Sequence, residues 1–366
     1  MRIAWRELRR RPGRFSLATG VLAVLATLLV FLGGLLDGLF LGSTGAIRAQ
    51  TADVIVYSAD AQDSFVRSRI DPALRARISG VDGVENTGGI GLTLVGATVP
   101  GRDELADVAT FGYEMPPRGV PPTPEPGTAW ADSSLEASGV REGDTLLLGR
   151  GRVPVRVLGF VTDTSYLLQG SLWMAPTTWR TVQRRTRPDA TVGPGIFQAL
   201  AVTGDGSPDE LARAIDRATG GRTSSLTRDQ AIYSLPGTEQ QNATLNGIIW
   251  ATLAVAALVV ALFFVLLTLE RAGLFAVLKA IGASSRQLFA GVVLQAVAVA
   301  VAALVIGISA GVGLAALVPE EVPLRLEVSR ILMTCGLLVL ASVAGSVVSL
   351  RRVIAADPAT AIGRSG

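Results

Sequence analysis

The chain has 366 residues, 49% hydrophobic and only 17% charged, with a formal net charge of +3; with a positive mean hydropathy, that balance is one of a membrane protein. It holds no histidine, one cysteine (Cys335) and one lysine (Lys279), which excludes a Ser-His-Asp triad, a histidine metal site and an intrachain disulfide. Leu278 precedes Lys279, so there is no GxxxxGK[ST] phosphate loop, and any ATP hydrolysis must take place on another chain.

In chain order, residues 1–14 are expected to form a basic amphipathic N-terminal helix, with Arg2, Arg6, Arg9, Arg10, Arg11 and Arg14 against Glu7 alone. The charge-free run 15–36 follows, long enough to cross about 30 Å of hydrocarbon. It exceeds a signal-peptide core and lacks a small-x-small cleavage site, so 15–42 reads as a retained first span. Three more runs, 248–269, 288–318 and 331–350, complete four spans. A mid-bilayer Arg or Asp costs on the order of 3 kcal/mol on insertion scales, so such runs are not expected in a soluble chain. The third is too long for an upright helix and must tilt, project beyond the bilayer, or break near Gly307, Gly311 and Gly313.

Orientation follows from the arginines. The segments 1–14, 270–287 and 351–366 together carry twelve basic and three acidic residues, whereas 43–247 carries nineteen basic and 23 acidic. Both termini and the 270–287 link are therefore expected in the cytoplasm, and 43–247 and the short 319–330 loop outside. The high isoelectric point needs no nucleic acid to explain it.

The outer segment is large enough for its own core. Near its start, DVIVY at 53–57 reads as a strand, Asp71-Pro72 as the cap and first turn of a helix through Ile78, Gly80 as its stop, and the residues after Val84 as a second strand. Near its end, FQALAVT at 197–203 reads as a strand, and SPDE at 207–210 as a capping box opening a helix with Leu211, Ile215 and Ala218 on one face. Two β-α-β units, 50–90 and 195–235, thus bracket an insert, 91–190. GVREGDTLLL and VPVRVLGFV make that insert mostly β. MPPRGVPPTPEPG at 115–127 reads as an exposed loop. TRDQ at 227–230 is a second capping box, opening a helical stalk that Pro236 and Gly237 kink or interrupt.

The link ERAGLFAVLKAIGASSRQLF, 270–289, places Leu274, Phe275, Leu278 and Ile281 on one face of a helix ended by Gly282. Such a face lies on the membrane interface or fits a groove on a partner. In the spans, Gly34 with Gly38 and Gly307 with Gly311 form GxxxG pairs, which let helix backbones approach closely and are candidates for a dimer contact in a chain with 41 glycines. No span carries an ionisable residue near its middle, Asp37 standing at the outer end of the first, which argues against an ion-coupled transporter. Gln295 and Cys335 read as packing residues. A membrane-bound enzyme finds no nucleophile elbow or carboxylate pair here.

The link resembles the coupling-helix signature of MacB/FtsX-like ABC transporter permeases, E-R-x-x-E-x-x-x-L-K-A-x-G-A before the third span. AWRELRRRPGRF at 4–15 and RRVIAADPATAIG at 351–363 are similar to the family's start and ending, and VLGFVTDTSYLLQGSLWMAPTTW resembles the DevC-type permeases of glycolipid exporters. The resemblance implies a membrane α-helical fold of four transmembrane helices with a large α+β extracytoplasmic domain, in which porter-like β-α-β units enclose a β-rich sabre-like insert. It implies coupling residues Glu270, Arg271, Leu274, Phe275, Leu278, Lys279, Ile281 and Gly282, with Phe275 where the family usually has an acidic residue. It also implies a dimer of permeases on two cytoplasmic ABC ATPase subunits, which hold the ATP and Mg, leaving no catalytic residue, cofactor or metal on this chain. The expected location is the cell inner (plasma) membrane, with a periplasmic adaptor or other envelope partner and no nucleic acid. The expected work is mechanotransmission for export or extraction of a lipid, lipoprotein or peptide. The alternative is an FtsX-type regulator that moves no substrate and activates a cell-wall hydrolase or other envelope partner.

Overall fold

A computed structural model describes residues 12–102, 104–190, 192–235, 237–270, 285–319 and 322–355. The chain divides into two compact units, Met1–Gly38 with Ala243–Gly366, and Leu39–Asn242. Helix α1 (Pro12–Arg48) begins in the first and ends in the second.

In the second unit, β1 (Val54–Ser58), α2 (Pro72–Ser79) and β2 (Val84–Thr98) follow α1. Asp71 caps α2 by accepting the Leu74 N–H at 2.7 Å, with Pro72 in the first turn and Gly80 closing the helix, as the sequence predicts. The insert supplies β3 (Leu105–Tyr113), β4 (Thr128–Asp132), β5 (Thr145–Leu148), β6 (Val153–Val161), β7 (Gly170–Met174) and α3 (Pro176–Thr186). β8 (Ala199–Gly204), α4 (Pro208–Ala218), β9 (Thr223–Thr227) and α5 (Arg228–Tyr233) complete the domain.

The two β-α-β units interleave. Sheet order β2-β8-β1-β9 places each strand of one unit beside strands of the other, so neither forms a sheet alone. Strand alternation then divides the core. Val54, Val56, Leu200 and Val202 face α2 and α4, while Ile55, Tyr57, Ala199 and Ala201 join a second cluster with Phe111 and Trp173.

The insert closes on itself. β2 pairs with β3, β3 with β7, β7 with β4, β4 with β6, β6 with β5, and β5 returns to β2. This is a six-stranded barrel, and β2 belongs both to it and to the open sheet: residues 84–90 pair with β8, residues 90–98 with β3. Closure removes the sheet edges that so many short strands would otherwise expose. Helix α3 lies against β2 and β3 where these carry glycine: a Cβ at Gly91 or Gly112 would fall within the Trp179 indole, whose Nε1–H donates to Thr93 Oγ1 at 3.0 Å.

Two local expectations differ in detail. Ser207 makes no side-chain cap to α4; its carbonyl accepts the Glu210 and Leu211 N–H groups instead. Thr227 and Gln230 do form the reciprocal capping box of α5. That helix ends at Tyr233 and the next starts at Thr238, with Gly237 at φ +81°, so the stalk is interrupted; Pro236 lies outside the described residues. The loop 115–127 has no regular structure, yet Val120 inserts into the core.

In the first unit, α6 (Thr238–Glu270), α7 (Ser285–Ala315) and α8 (Val328–Ala355) join α1. All four are long and apolar enough to cross a membrane. The third is continuous through Gly307, Gly311 and Gly313. The four share one apolar cluster, built from residues such as Leu22, Ala26, Val260, Val299 and Leu338. The basic start through residue 11, link positions 271–284 and the tail from 356 lie outside the described residues.

Candidate functional site

The sequence-derived site has two parts, the link and the glycine pairs. Arg271, Leu274, Phe275, Leu278, Lys279, Ile281 and Gly282 lie outside the described residues; Glu270 is the last residue of α6. The glycines are described, and each faces another part of this chain. A Cβ on Gly307 would stand 2.6 Å from the Ala26 Cβ and 2.8 Å from the Ala23 carbonyl, and one on Gly311 would stand 2.9 Å from Val30. Thr27 Oγ1 donates to the Gly307 carbonyl at 3.2 Å. Between helices whose apolar sides match lipid, such backbone approach and interhelical hydrogen bonding supply the attraction.

Gly34 and Gly38 face the segment that precedes α8. A Cβ on Gly38 would overlap the Pro323 peptide, one on Gly34 would meet Leu326, and the Arg325 N–H donates to the Gly34 carbonyl at 2.9 Å. One turn away, Arg330 Nε pairs with Asp37 Oδ1 at 2.5 Å, with the carboxylate side chain 11% exposed and the guanidinium 33%. The ion pair was not foreseen from sequence. Its signal was present: Asp37 is the lone charge between apolar residues of α1, and a charge so placed requires a partner.

A second joint lies inside the sheet domain, where the end of α1 meets the loop between β6 and β7. Gly45 has no room for a side chain, since a Cβ would stand 2.8–2.9 Å from the Asp163 carbonyl and Ser165 backbone atoms. Leu167 and Leu168 donate their N–H groups to the Ser43 and Gly42 carbonyls, and Ala46 donates to the Ser165 carbonyl at 2.9 Å. Asp163, Leu167 and Leu168 adopt positive φ, which costs on the order of 1–3 kcal/mol each and persists only where the surroundings enforce it. The enforcing group is Asp132. Its buried carboxylate accepts from Thr164 N, Thr164 Oγ1, Ser165 Oγ and Ser134 N at 2.7–3.0 Å. Ser171 and Trp173 extend this network into β7. Around it, Tyr166 packs edge-on against Phe65 and Phe111. Burial raises the phenols of Tyr166, Tyr57 and Tyr113 above their ordinary range.

The arrangement holds together helix ends and loops. Among the described residues no group of three or more His, Cys, Asp or Glu could hold a metal ion.

Residues 246–358 match the FtsX-like permease C-terminal family. Over 360 residues, 94% of this chain and 95% of the relative, the sequence is 29% identical to an uncharacterized ABC transporter permease of Mycobacterium tuberculosis. It is 20% identical to the putative hemin transport system permease protein HrtB of Staphylococcus haemolyticus, covering 99% of each. Among solved structures, the periplasmic region of MacB from Actinobacillus actinomycetemcomitans aligns with a TM-score of 0.35 at 12% identity, covering 52% of this chain and 96% of that one.

Proposed function

We propose that the chain is a permease of the MacB/FtsX-like ABC transporter kind, as its match to the FtsX-like permease C-terminal family and its ABC transporter permease relatives support, and that it couples ATP hydrolysis by a separate cytoplasmic ATPase to a conformational change of its sheet domain outside the membrane. The observation that carries this reading is the family match over 246–358, which encloses the 270–287 link. The link's apolar face, Leu274, Phe275, Leu278 and Ile281, seats in a groove of the ATPase. Glu270, Arg271 and Lys279 flank it, and Gly282 ends it. The missing phosphate loop fits this division of labour, with ATP and Mg held by the partner. The charge asymmetry supports cytoplasmic termini and a plasma-membrane location.

In this proposal two permeases sit on two ATPase subunits, and closure of the ATPases displaces the spans. Force reaches the sheet domain through α1, whose end is bonded to the 163–168 loop, without a tunnel for cargo through the spans. The cargo is an amphipathic molecule such as a lipid, lipoprotein or peptide. The Staphylococcus relative is described as a hemin transport permease, and hemin is likewise apolar with charged groups.

Leu278→Asp and Ile281→Asp test the coupling. Each should abolish co-purification with the ATPase and its stimulation by the permease, while membrane insertion and the thermal stability of the sheet domain stay unchanged. Retained co-purification and stimulation in both variants overturns the proposal.

A further inference from the structure

Strand β2 has a gap in its partners. On one edge β8 pairs with it up to Ile90, and β5 pairs only at Ala97 and Thr98. Between them the Leu92 N–H is met by a side chain, Gln198 Oε1, and the Gly96 carbonyl accepts the Gly149 N–H. By strand alternation the Leu94 peptide group lies on this same edge, without a partner among the described residues.

The gap is the wall of a small, open surface cleft. Its polar lining is Arg69, Thr93, Gln183, Arg187 and Gln198, with Thr93 Oγ1 and Gln183 Oε1 already accepting from Trp179 and Val192. Arg69 and Arg187 bring two guanidinium groups, neither in an ion pair among the described residues; Arg69 Nη1 already donates to the Val66 and Ser68 carbonyls at 2.9 and 2.7 Å, which leaves its Nε–Nη2 edge for a ligand. Gln198 is only 3% exposed; because its Oε1 is committed to Leu92, its amide N–H₂ remains to point elsewhere, and it too lines the cleft. Among the described residues no aspartate or glutamate lines it. The other wall is apolar: Leu92, Leu94 and Val66, the last 44% exposed at the rim.

The approach to the cleft is also basic. A Cβ on Gly149 would meet Thr186, and one on Gly151 would meet Arg185, so the β5–β6 turn lies against the end of α3. This brings exposed Arg150 and Arg152 beside exposed Arg184 and Arg185, next to Arg187, in a domain whose acidic residues outnumber its basic ones. Asp189 is the nearest acid along the chain and is exposed. Four arginines at a helix end and a turn would be ordinary for the helix dipole; their convergence on a cleft that already holds Arg69 and Arg187 is not explained by it.

We propose that this cleft binds the anionic head of a small amphiphile, a carboxylate or a phosphate, with the attached hydrocarbon lying on Val66, Leu92 and Leu94. Arg69 and Arg187 grip the head as forked donors, Gln198 adds its amide, and the flanking arginines raise the local concentration of anions. Burial lowers the Arg69 pKa from its usual range, the direction that a bound anion reverses. The site goes beyond the coupling reading and needs neither nucleotide nor ATPase, so failure of one leaves the other standing.

The test is calorimetric titration of the full chain in zwitterionic nanodiscs, with empty nanodiscs as reference. The probes are hexyl phosphate, hexanoate, hexanol and inorganic phosphate. Hexyl phosphate, hexanoate or both should bind at least ten-fold tighter than hexanol and inorganic phosphate, and the stronger of the two names the head group. The Arg69→Gln/Arg187→Gln double variant should lose at least ten-fold in that affinity with its unfolding temperature unchanged. Leu94→Asp, which keeps both arginines, should lose it as well. No binding of either amphiphile overturns the proposal. So does inorganic phosphate binding equally well, or an affinity the arginine variant does not change.

Discussion

Glycine serves two different contacts in the two units. In the helical unit, Gly307 and Gly345 meet backbone: the former α1 at Ala23 and Thr27, the latter α6 at Ala257 and Ala261. In the sheet domain, Gly89 lies under the Phe197 ring, and Gly91 and Gly112 lie under Trp179. The first arrangement suits lipid, where burying apolar surface gains little and close backbone contact must supply the attraction. The second suits water, where the gain comes from removing two large rings from solvent, and the missing Cβ lets them lie flat on the strands. The same residue type therefore reports on two different solvents.

The contrast can be broken where it is strongest. Trp179→Ala should destabilise the sheet domain by about 3–5 kcal/mol, the usual cost of emptying a buried aromatic site, read as a lower unfolding temperature of the full chain. A cost below about 1 kcal/mol would mean that the ring is not what the glycines accommodate. Next come the backbone contacts. Gly307→Ala and Gly45→Ala should each cost about 1–3 kcal/mol by overpacking, the first loosening the helical unit and the second the α1 end against the 163–168 loop. Limited proteolysis separates the two, since only Gly45→Ala should expose Asp163–Leu168 to cleavage. Equal cleavage in both would erase the distinction.

The smallest effect concerns pH. Tyr57, Tyr113 and Tyr166 are held neutral by burial, so their folded pKa values lie above the unfolded value of about 10. A group raised in this way contributes stability that is complete below the unfolded pKa and is lost as pH climbs through the folded one. These three groups should leave the unfolding temperature flat through neutral pH and depress it above about pH 10, their phenolate absorbance emerging only with unfolding. Phenolate from all four tyrosines while near-UV circular dichroism stays native would show that the rings are not sealed.

What could be read beforehand was local. Asp71-Pro72, the TRDQ box and the charge-free runs announce helices because caps and spans depend on residues close in sequence. The proline-rich stretch announces irregular structure for the same reason. Barrel closure was not legible, because β3 meets β7, and β5 meets β2, only through pairings that no short window contains. Nor was the Arg330–Asp37 pair, whose partners are nearly the whole chain apart, or the Asp132 network, where an unremarkable Asp and a TDTS run meet across a fold. Ser207 marks the opposite limit: the pattern was there, and the backbone carbonyl supplied the bonds instead.

Ile90 is paired to Ala199 on one side and to Tyr113 on the other, so a single peptide ribbon carries the seam between the open sheet and the barrel. For anyone building chimeras between relatives, this means the insert is no detachable cassette. A graft cut cleanly at the ends of 91–190 would sever a continuous strand and leave both halves short of a wall, whereas one that carries β2 entire, together with the rows of side chains it shows to each neighbour, keeps the seam closed.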